Sequence, residues 1–130
     1  QRQMCIRDSH TKGAVNAIDR IIDSFPSEQQ AQVRIQLSMV LSTVVSQQLI
    51  VGEGGRLTPA FEVMRANSGI KGLIRDGKSH QIDNAIAAGG AEGMISMDQS
   101  ILALCQAGRI SRETALAHAD NPDLLRRRLG

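Results

Sequence analysis

Aromatic side chains are almost missing from this sequence of 130 residues, which has no tryptophan, no tyrosine and only two phenylalanines. Single-stranded nucleic acids are usually bound by stacking their bases on aromatic rings, so this scarcity argues against such a function. The net charge is only +2, and the lysines and arginines are spread along the chain instead of forming a basic stripe. We therefore expect no nucleic-acid partner.

Cysteines and long apolar runs are also scarce. Cys5 and Cys105 are the only two cysteines, and their wide separation fits neither a metal-binding motif nor a disulfide framework, which favours a reducing compartment. No apolar stretch approaches the ~20 residues of a membrane span, and no signal-peptide pattern begins the chain. The sequence thus predicts a protein with no bound metal and no transmembrane segment.

What the sequence does contain predicts a packed core, because 42% of its residues are hydrophobic and 22% are charged. Residues 12–25 and 27–41 carry apolar residues at helical spacing, which predicts two amphipathic helices. Ser27 and Gln30 have the spacing of a capping box at the start of the second helix. Met39 widens the apolar face near its end, so we expect that end to be almost fully buried.

A β-hairpin is predicted after the second helix. Apolar and polar residues alternate over residues 43–51 and again over 56–64, which is the period of a strand. The glycine-rich residues 52–55 between them are typical of a hairpin loop. Pro59 has no backbone N–H group, so we expect the second strand to be an edge strand or to be bulged at that position.

The rest of the chain is a run of short helices separated by tight turns. Ser111 and Asn121 are typical N-cap residues for the last two, and Pro122 suits a first helical position. The fold class predicted for the chain is therefore mainly α-helical, with one β-hairpin and a C-terminal bundle of short helices. The five helical segments are residues 68–77, 79–90, 96–108, 111–119 and 121–129.

One segment, Gly72–Ser79, matches the phosphate-loop pattern G-x-x-x-x-G-K-[ST] in every position. A working phosphate loop follows a buried strand and wraps the phosphates with backbone amides at the start of a helix. Here the segment lies inside a predicted helix, where Leu73 and Ile74 complete an apolar face with Ile70. We therefore expect the match to be accidental, and we predict no nucleotide-binding residues in this chain.

Two long stretches of the sequence resemble a known family. Residues 17–49, "AIDRIIDSFPSEQQAQVRIQLSMVLSTVVSQQL", and residues 93–122, "GMISMDQSILALCQAGRISRETALAHADNP", look like the motor domain of the type II/type IV secretion ATPases. The nearest branch drives type IV pilus retraction in twitching motility, and the resemblance runs from His10 to the end of the chain. Residues 69–76, "GIKGLIRD", stand where retraction ATPases carry AIRNLIRE. The departures from that signature are Gly69, Lys71, Gly72 and Asp76.

This resemblance implies a RecA-like α/β parent motor domain, of which the chain is a C-terminal part. It implies ATP and Mg²⁺ as cofactors of the full-length parent, with the Walker A and Walker B segments upstream of residue 10, so the isolated chain is expected to be inactive. Residues 10–67 would be the C-terminal part of the ATPase core, and residues 68–130 a helical subdomain. Residues 1–9, "QRQMCIRDS", match nothing in the family and look like a non-native leader from sequencing.

The resemblance also implies roles for particular residues and partners. His10 is the remnant of the family's histidine box, which approaches the γ-phosphate. The loop at residues 52–55 lacks the four-cysteine insert of the export branch, which argues against zinc. We expect Lys71 and Arg75, on one outer helix face, to contact a neighbouring subunit or the pilus machinery. The implied partners are a homohexamer and the inner-membrane platform protein, with the motor in the cytoplasm and peripheral to that membrane.

A second hypothesis from a different class remains open. The chain could be a free-standing helical adaptor or a helix-turn-helix-like module with residues 111–119 as the recognition helix. Such a helix reads bases with arginine, asparagine or glutamine near its start. Arg109 and Arg112 lie there, but Glu113 and the alanines that follow offer little for reading bases, so this hypothesis is the weaker one.

Overall fold

Two helices, a β-hairpin and five short helices follow one another along residues 13–130, the part of the chain that this computed structural model describes. Cys5, His10 and the predicted leader at residues 1–9 lie outside the described residues. The order confirms the mainly helical fold class with one hairpin. The elements are α1 (Gly13–Asp23), α2 (Ser27–Val40), β1 (Thr43–Val51), β2 (Leu57–Arg65), α3 (Ser68–Arg75), α4 (Ile82–Ala88), α5 (Met97–Gln106), α6 (Arg112–His118) and α7 (Pro122–Leu129).

The hairpin is regular, and β2 is an edge strand without a bulge. Its residues pair one to one with those of β1, and Pro59 lies opposite Leu49. The backbone N–H groups of Phe61 and Val63 point away from β1, since they donate to Ser100 Oγ and to the Ile95 carbonyl. Pro59 belongs to the same alternate set of residues, so its missing N–H costs the hairpin no hydrogen bond.

The two faces of the hairpin have very different surroundings. The inner face carries Ile50, Ala60 and Met64, which are completely buried beneath the helices. The opposite face, which we call the outer hairpin face, is apolar but uncovered within the described residues. Its exposed large side chains are Val45 (61% exposed), Leu49 (54%), Val51 (58%), Leu57 (64%) and Phe61 (41%).

The buried side chains form two clusters, one at each end of the hairpin. Ile18 and Ile22 of α1 pack in the first cluster with Met64, Ile70 of α3 and Ile82 of α4. The second cluster joins the hairpin to the last three helices; its members are Ile50, Ala60, Met97, Ile101, Ile110, Ala115 and Leu125. Both clusters contain residues from each side of position 67, and the division predicted there stays a prediction.

The end of α2 differs from the expectation of nearly complete burial. Val33 and Leu37 pack against the first cluster, whereas Ile35 is 40% exposed, Met39 66% and Val40 75%. The prediction was wrong because apolar residues occupy both sides of this helix. Only one side meets another element in the part of the chain that is described.

The capping box predicted at the start of α2 is also absent. Pro26 precedes the helix, and no side chain caps it. The Gln30 side chain instead donates to the Phe25 carbonyl at 3.0 Å, and the Ser27 hydroxyl lies 3.4 Å from a carboxylate oxygen of Glu28. Pro26 occupies the N-cap position, so Ser27 is the first helical residue and Gln30 the fourth, and neither stands at the position that a capping box requires.

Candidate functional site

The phosphate-loop pattern Gly72–Ser79 lies across the last half of α3 and the turn that follows it. The backbone N–H groups of residues 76–78 donate to carbonyl groups of the same helix at 2.8 to 3.2 Å, and Gly77 adopts a left-handed φ of 72°. This is the hydrogen bonding of a helix C-terminus, so these amides already have acceptors. The geometry supports our prediction that the segment binds no nucleotide, which stays a prediction.

Lys71 and Arg75 lie on α3, and each follows directly after a residue, Ile70 or Ile74, that is buried in the first cluster. Lys71 is half-buried and Arg75 is exposed. An acidic residue lies beside Arg75, which the sequence interpretation did not take into account. Arg75 Nε is 3.6 Å from Asp76 Oδ1. An exposed pair of this kind contributes little to stability. The contact role proposed for these two cations stays a prediction.

The alternative recognition helix makes no contact among residues 13–130 that would define a site. His10 lies outside the described residues. In α6, the Arg112 guanidinium donates to the Gly130 carbonyl at 3.1 Å, and His118 Nδ1 lies 2.7 Å from Gln48 Nε2 of β1. These contacts hold α6 against its neighbours, and none of them favours a role in reading bases.

A cavity of about 310 Å³ lies between β2, α4, α5 and α7, and we call it the carboxylate cavity. The side chains Asp83, Asp98 and Asp120 line it together with Arg128, and Glu62 of β2 forms part of its wall. Among residues 13–130, no group of three histidine, cysteine, aspartate or glutamate side chains could hold a metal ion. The carboxylates of Glu62 and Asp98 accept hydrogen bonds from backbone N–H groups instead.

Glu62 is the most deeply placed of these acids, with only 3% of its surface exposed. Its Oε1 atom accepts a hydrogen bond from the backbone N–H of Ala14 at 2.7 Å. Its Oε2 atom accepts one from the backbone N–H of Met97 at 3.2 Å. One carboxylate therefore joins β2 to the first turns of both α1 and α5, where the helix dipoles favour negative charge.

The electrostatics of Glu62 are unfavourable to its charge. Burial is the largest effect and raises the pKa of its carboxyl above the usual 4.5; the amide hydrogen bonds from Ala14 and Met97 lower it, and the nearby Asp83 and Asp98 raise it further. Burial also raises the pKa of Asp83, with a smaller contribution from the charge of Asp98. Burial disfavours the charged form of this carboxylate, and the two amide donors offset part of that cost.

Sequence reasoning missed Glu62, although a signal was present. Residues of β2 alternate, and Glu62 falls on the same side as Ala60 and Met64, which are buried. A glutamate at an inner position of an alternating strand needs a hydrogen-bonding partner. Its partners could not be found from the pattern, because they lie 48 and 35 residues away in the sequence.

Asp98, in the first turn of α5, ties that helix to the turn between α6 and α7. Its Oδ1 accepts from the backbone N–H of Asp120 at 2.8 Å, and its Oδ2 accepts from that of Asn121 at 2.9 Å. The Asn121 side chain in turn caps α7 by accepting from the Leu124 N–H at 3.1 Å. The first turn of α5 thus contacts both Glu62 and the segment that begins α7.

The chain has known relatives along most of its length. It is 42% identical over 114 residues to the type IV pilus retraction ATPase PilT of Pseudomonas aeruginosa, a match that covers 88% of this chain and 33% of the relative. It is 38% identical over 115 residues to a twitching motility protein of Neisseria gonorrhoeae, covering 88% of this chain and 31% of that protein. No protein-family model matches the chain.

A solved structure of the pilus retraction motor PilT with bound ADP has the same fold, with a TM-score of 0.78 and 36% sequence identity, and the match covers 91% of this chain and 33% of that one. By sequence and by fold, the chain belongs to the superfamily of type II/type IV secretion ATPases. More particularly, it is a homologue of the pilus retraction and twitching motility proteins, which confirms the resemblance predicted from the sequence. The chain spans about a third of the length of the curated relatives that it matches.

No helix among residues 13–130 is both long enough and apolar enough to cross a membrane.

Proposed function

We propose that the chain is part of an ATP-hydrolysing motor that retracts type IV pili in twitching motility. The observation that carries this proposal is its 42% identity to the retraction ATPase PilT over 114 residues. The common fold with a PilT structure that holds ADP supports it. In the proposed parent protein, ATP and Mg²⁺ are the cofactors, and the Walker A and Walker B segments that bind them lie outside this chain.

The uncovered apolar surfaces support a role inside a larger protein. Val45 and Leu57 of the outer hairpin face are more than half exposed, as are Met39 and Val40 at the end of α2. Contiguous apolar patches are rarely left in water by soluble monomers and usually mark contacts with other protein. We propose that the remaining two thirds of a motor of the relatives' length cover these surfaces.

The proposal assigns the parent a homohexameric ring, a cytoplasmic position peripheral to the inner membrane, and the pilus platform protein as its partner. His10 would act beside the γ-phosphate, where an imidazole can donate to a phosphate oxygen and change partners upon hydrolysis. The chain alone would bind no nucleotide and hydrolyse none. Lys71 and Arg75 would then contact a neighbouring subunit or the pilus machinery and would take no part in ATP hydrolysis.

Complementation tests this function. The full-length protein that contains this chain is expressed in a Pseudomonas aeruginosa strain that lacks its own retraction ATPase. We expect twitching to be restored by the full-length protein and not by residues 1–130 alone. A full-length protein that is stably produced, hydrolyses ATP and fails to restore any pilus retraction would contradict the retraction role.

A further inference from the structure

We propose that Glu62 is a positioning residue that couples the first turn of α1, which follows His10 in the sequence, to the C-terminal helices of the motor. This inference rests on the proposed function. Its basis is a single buried carboxylate that accepts hydrogen bonds from the first turns of two helices far apart in the sequence, α1 through Ala14 and α5 through Met97. Glu62 has no part in the chemistry itself and acts through what it holds.

On the α1 side, the contact is close and leaves little freedom. Gly13 has a left-handed φ of 90°, and a Cβ atom built on it would lie only 2.8 Å from Glu62 Oε1. His10 lies three residues before Gly13 in the sequence. A displacement of that segment that reaches the first turn of α1 must therefore move the Glu62 carboxylate or break its 2.7 Å hydrogen bond to Ala14.

On the α5 side, the contact continues into the last helices. Met97, which donates to Glu62, is the first residue of α5, and Ser96 caps that helix by a reciprocal capping box with Gln99. Asp98 is the next residue, and it holds the backbone of residues 120–121 at the start of α7. Glu62 is thus the side chain through which the first turn of α1 reaches α5 and, one residue further, α7.

The hydrogen bonding of Glu62 suits a side chain through which a shift of one helix affects the other. It argues against a side chain that only fills space between them. Its buried charge is compensated by amide donors from both helices, and losing either donor would leave a carboxylate oxygen in the interior with weaker compensation. The two hydrogen bonds therefore depend on each other, since each stabilises the charged form that the other needs. A hydrophobic residue at position 62 would pack against both helices without linking them in this way.

Hydrogen exchange of the full-length protein tests this link without requiring activity. The variant Gly13→Ala retains the glutamate at position 62, but the added Cβ atom displaces its carboxylate from the first turn of α1. We expect backbone amides at residues 97–100 to exchange about tenfold faster in this variant, the change produced by losing one hydrogen bond to a charged group. Faster exchange confined to α1, with residues 97–100 unchanged, would overturn the proposal.

Two further variants separate linkage from stability. Glu62→Gln keeps the shape but loses the charge and one of the two acceptor atoms, so exchange should accelerate at both α1 and α5. Adding Gly13→Ala to it should have little further effect at α5. The matched control Glu113→Gln, an exposed glutamate of α6, should change neither. Fully additive effects of Gly13→Ala and Glu62→Gln at residues 97–100 would show that no link exists.

The role in the motor has its own readout. In the full-length protein we expect Glu62→Gln to keep ATP hydrolysis within about threefold of the parent, a change of less than 1 kcal/mol by RT ln 3, while the change in exchange at residues 97–100 between ATP and ADP is lost. If the nucleotide still changes that exchange in the variant, the coupling role is wrong. If the unaltered full-length protein hydrolyses no ATP, the proposed motor function fails, whereas the link between α1 and α5 still stands or falls by the exchange results for Gly13→Ala.

Discussion

The hydroxyl group of Ser79 donates a hydrogen bond to Asp19 Oδ1 at 2.7 Å. Ser79 is the last residue of the phosphate-loop pattern, and Asp19 lies in the middle of α1. The residue that would bind Mg²⁺ in a working phosphate loop is therefore engaged in fastening the turn after α3 to the first helix. This contact gives the segment Gly72–Ser79 a structural role that does not involve phosphate.

The first prediction concerns Lys78, the lysine of the same pattern. In the full-length protein, Lys78→Ala should leave nucleotide affinity within a few-fold of the parent, measured by titration with a fluorescent ADP analogue. Ser79→Ala should likewise leave affinity unchanged but lower the free energy of unfolding by about 1 kcal/mol, because it removes the hydrogen bond to Asp19. A hundredfold loss of affinity in Lys78→Ala, about 3 kcal/mol, would show that this lysine contacts phosphate.

The local structure around this segment could be predicted from the sequence, since helix periods and caps are local signals. Ser111 and Asn121 cap α6 and α7 as expected, whereas Asn67 caps α3 without having been predicted. Ser27 failed as a cap because the helix begins at Ser27 itself, with Pro26 at the N-cap position. The exposed end of α2 could not be foreseen, because apolar spacing does not say whether the covering surface belongs to the same stretch of chain.

The carboxylate cavity could not be predicted, for a different reason. Glu62, Asp83 and Asp98 belong to three separate elements, and their approach depends on how those elements pack. The alternation of β2 identifies an inner glutamate but not the amides that compensate its charge. The family resemblance indicates the type of motor. Its second quoted stretch includes Met97 and Asp98, but the resemblance does not imply which residues they contact.

The second prediction is a pH dependence carried by Glu62. Its pKa is raised in the folded protein, chiefly by burial, so the folded state binds more protons than the unfolded state between the two pKa values. Stability from this group is therefore largest below the usual carboxyl pKa and decreases as the pH rises through the raised value. The pKa of Asp83 is also raised, so its contribution to stability likewise decreases as the pH rises.

Urea unfolding of residues 1–130, with and without the substitution Glu62→Gln, between about pH 4 and pH 8 measures this effect. In this experiment the unsubstituted chain is called the parent. The advantage in stability of the parent over the variant should be greatest at the acidic end and should shrink as the pH rises. The control Glu113→Gln should track the parent at every pH. An advantage of the parent that grows with pH would mean that the Glu62 pKa is lowered, and would contradict our account of its burial.

The third prediction concerns Arg75. Among the described residues, its exposed guanidinium forms a weak ion pair with the neighbouring Asp76, so Arg75→Ala should change the stability of the chain by less than about 0.5 kcal/mol. In the full-length protein this variant should keep most ATP hydrolysis and ring assembly but lose twitching. Arg127→Ala, an exposed arginine of α7, serves as the control. Normal twitching in Arg75→Ala would show that its side chain is an ordinary solvated one.

The fourth prediction tests whether the outer hairpin face is covered in the parent protein. Val45 is 61% exposed and Leu57 64% exposed, so Val45→Thr and Leu57→Thr should each change the stability of residues 1–130 by less than about 0.5 kcal/mol. In the full-length protein the same changes should each cost about 1–2 kcal/mol, because the side chains would be buried there.

Ile50→Ala provides the control for that comparison. Ile50 lies on the inner face and is completely buried, so its truncation should destabilise both the short chain and the full-length protein by about 2–5 kcal/mol. Equal effects of Leu57→Thr in the two proteins would mean that no further part of the motor covers the outer hairpin face.

The central claim is that this chain belongs to an ATP-driven motor whose nucleotide site lies outside it. The most direct test is Mg²⁺-dependent ATP hydrolysis, measured side by side for the purified full-length protein and for residues 1–130. We expect turnover by the full-length protein and none above background by the short chain. Turnover by residues 1–130 alone would contradict the account and restore Gly72–Ser79 as a phosphate loop, and a folded full-length protein without turnover would contradict the motor function itself.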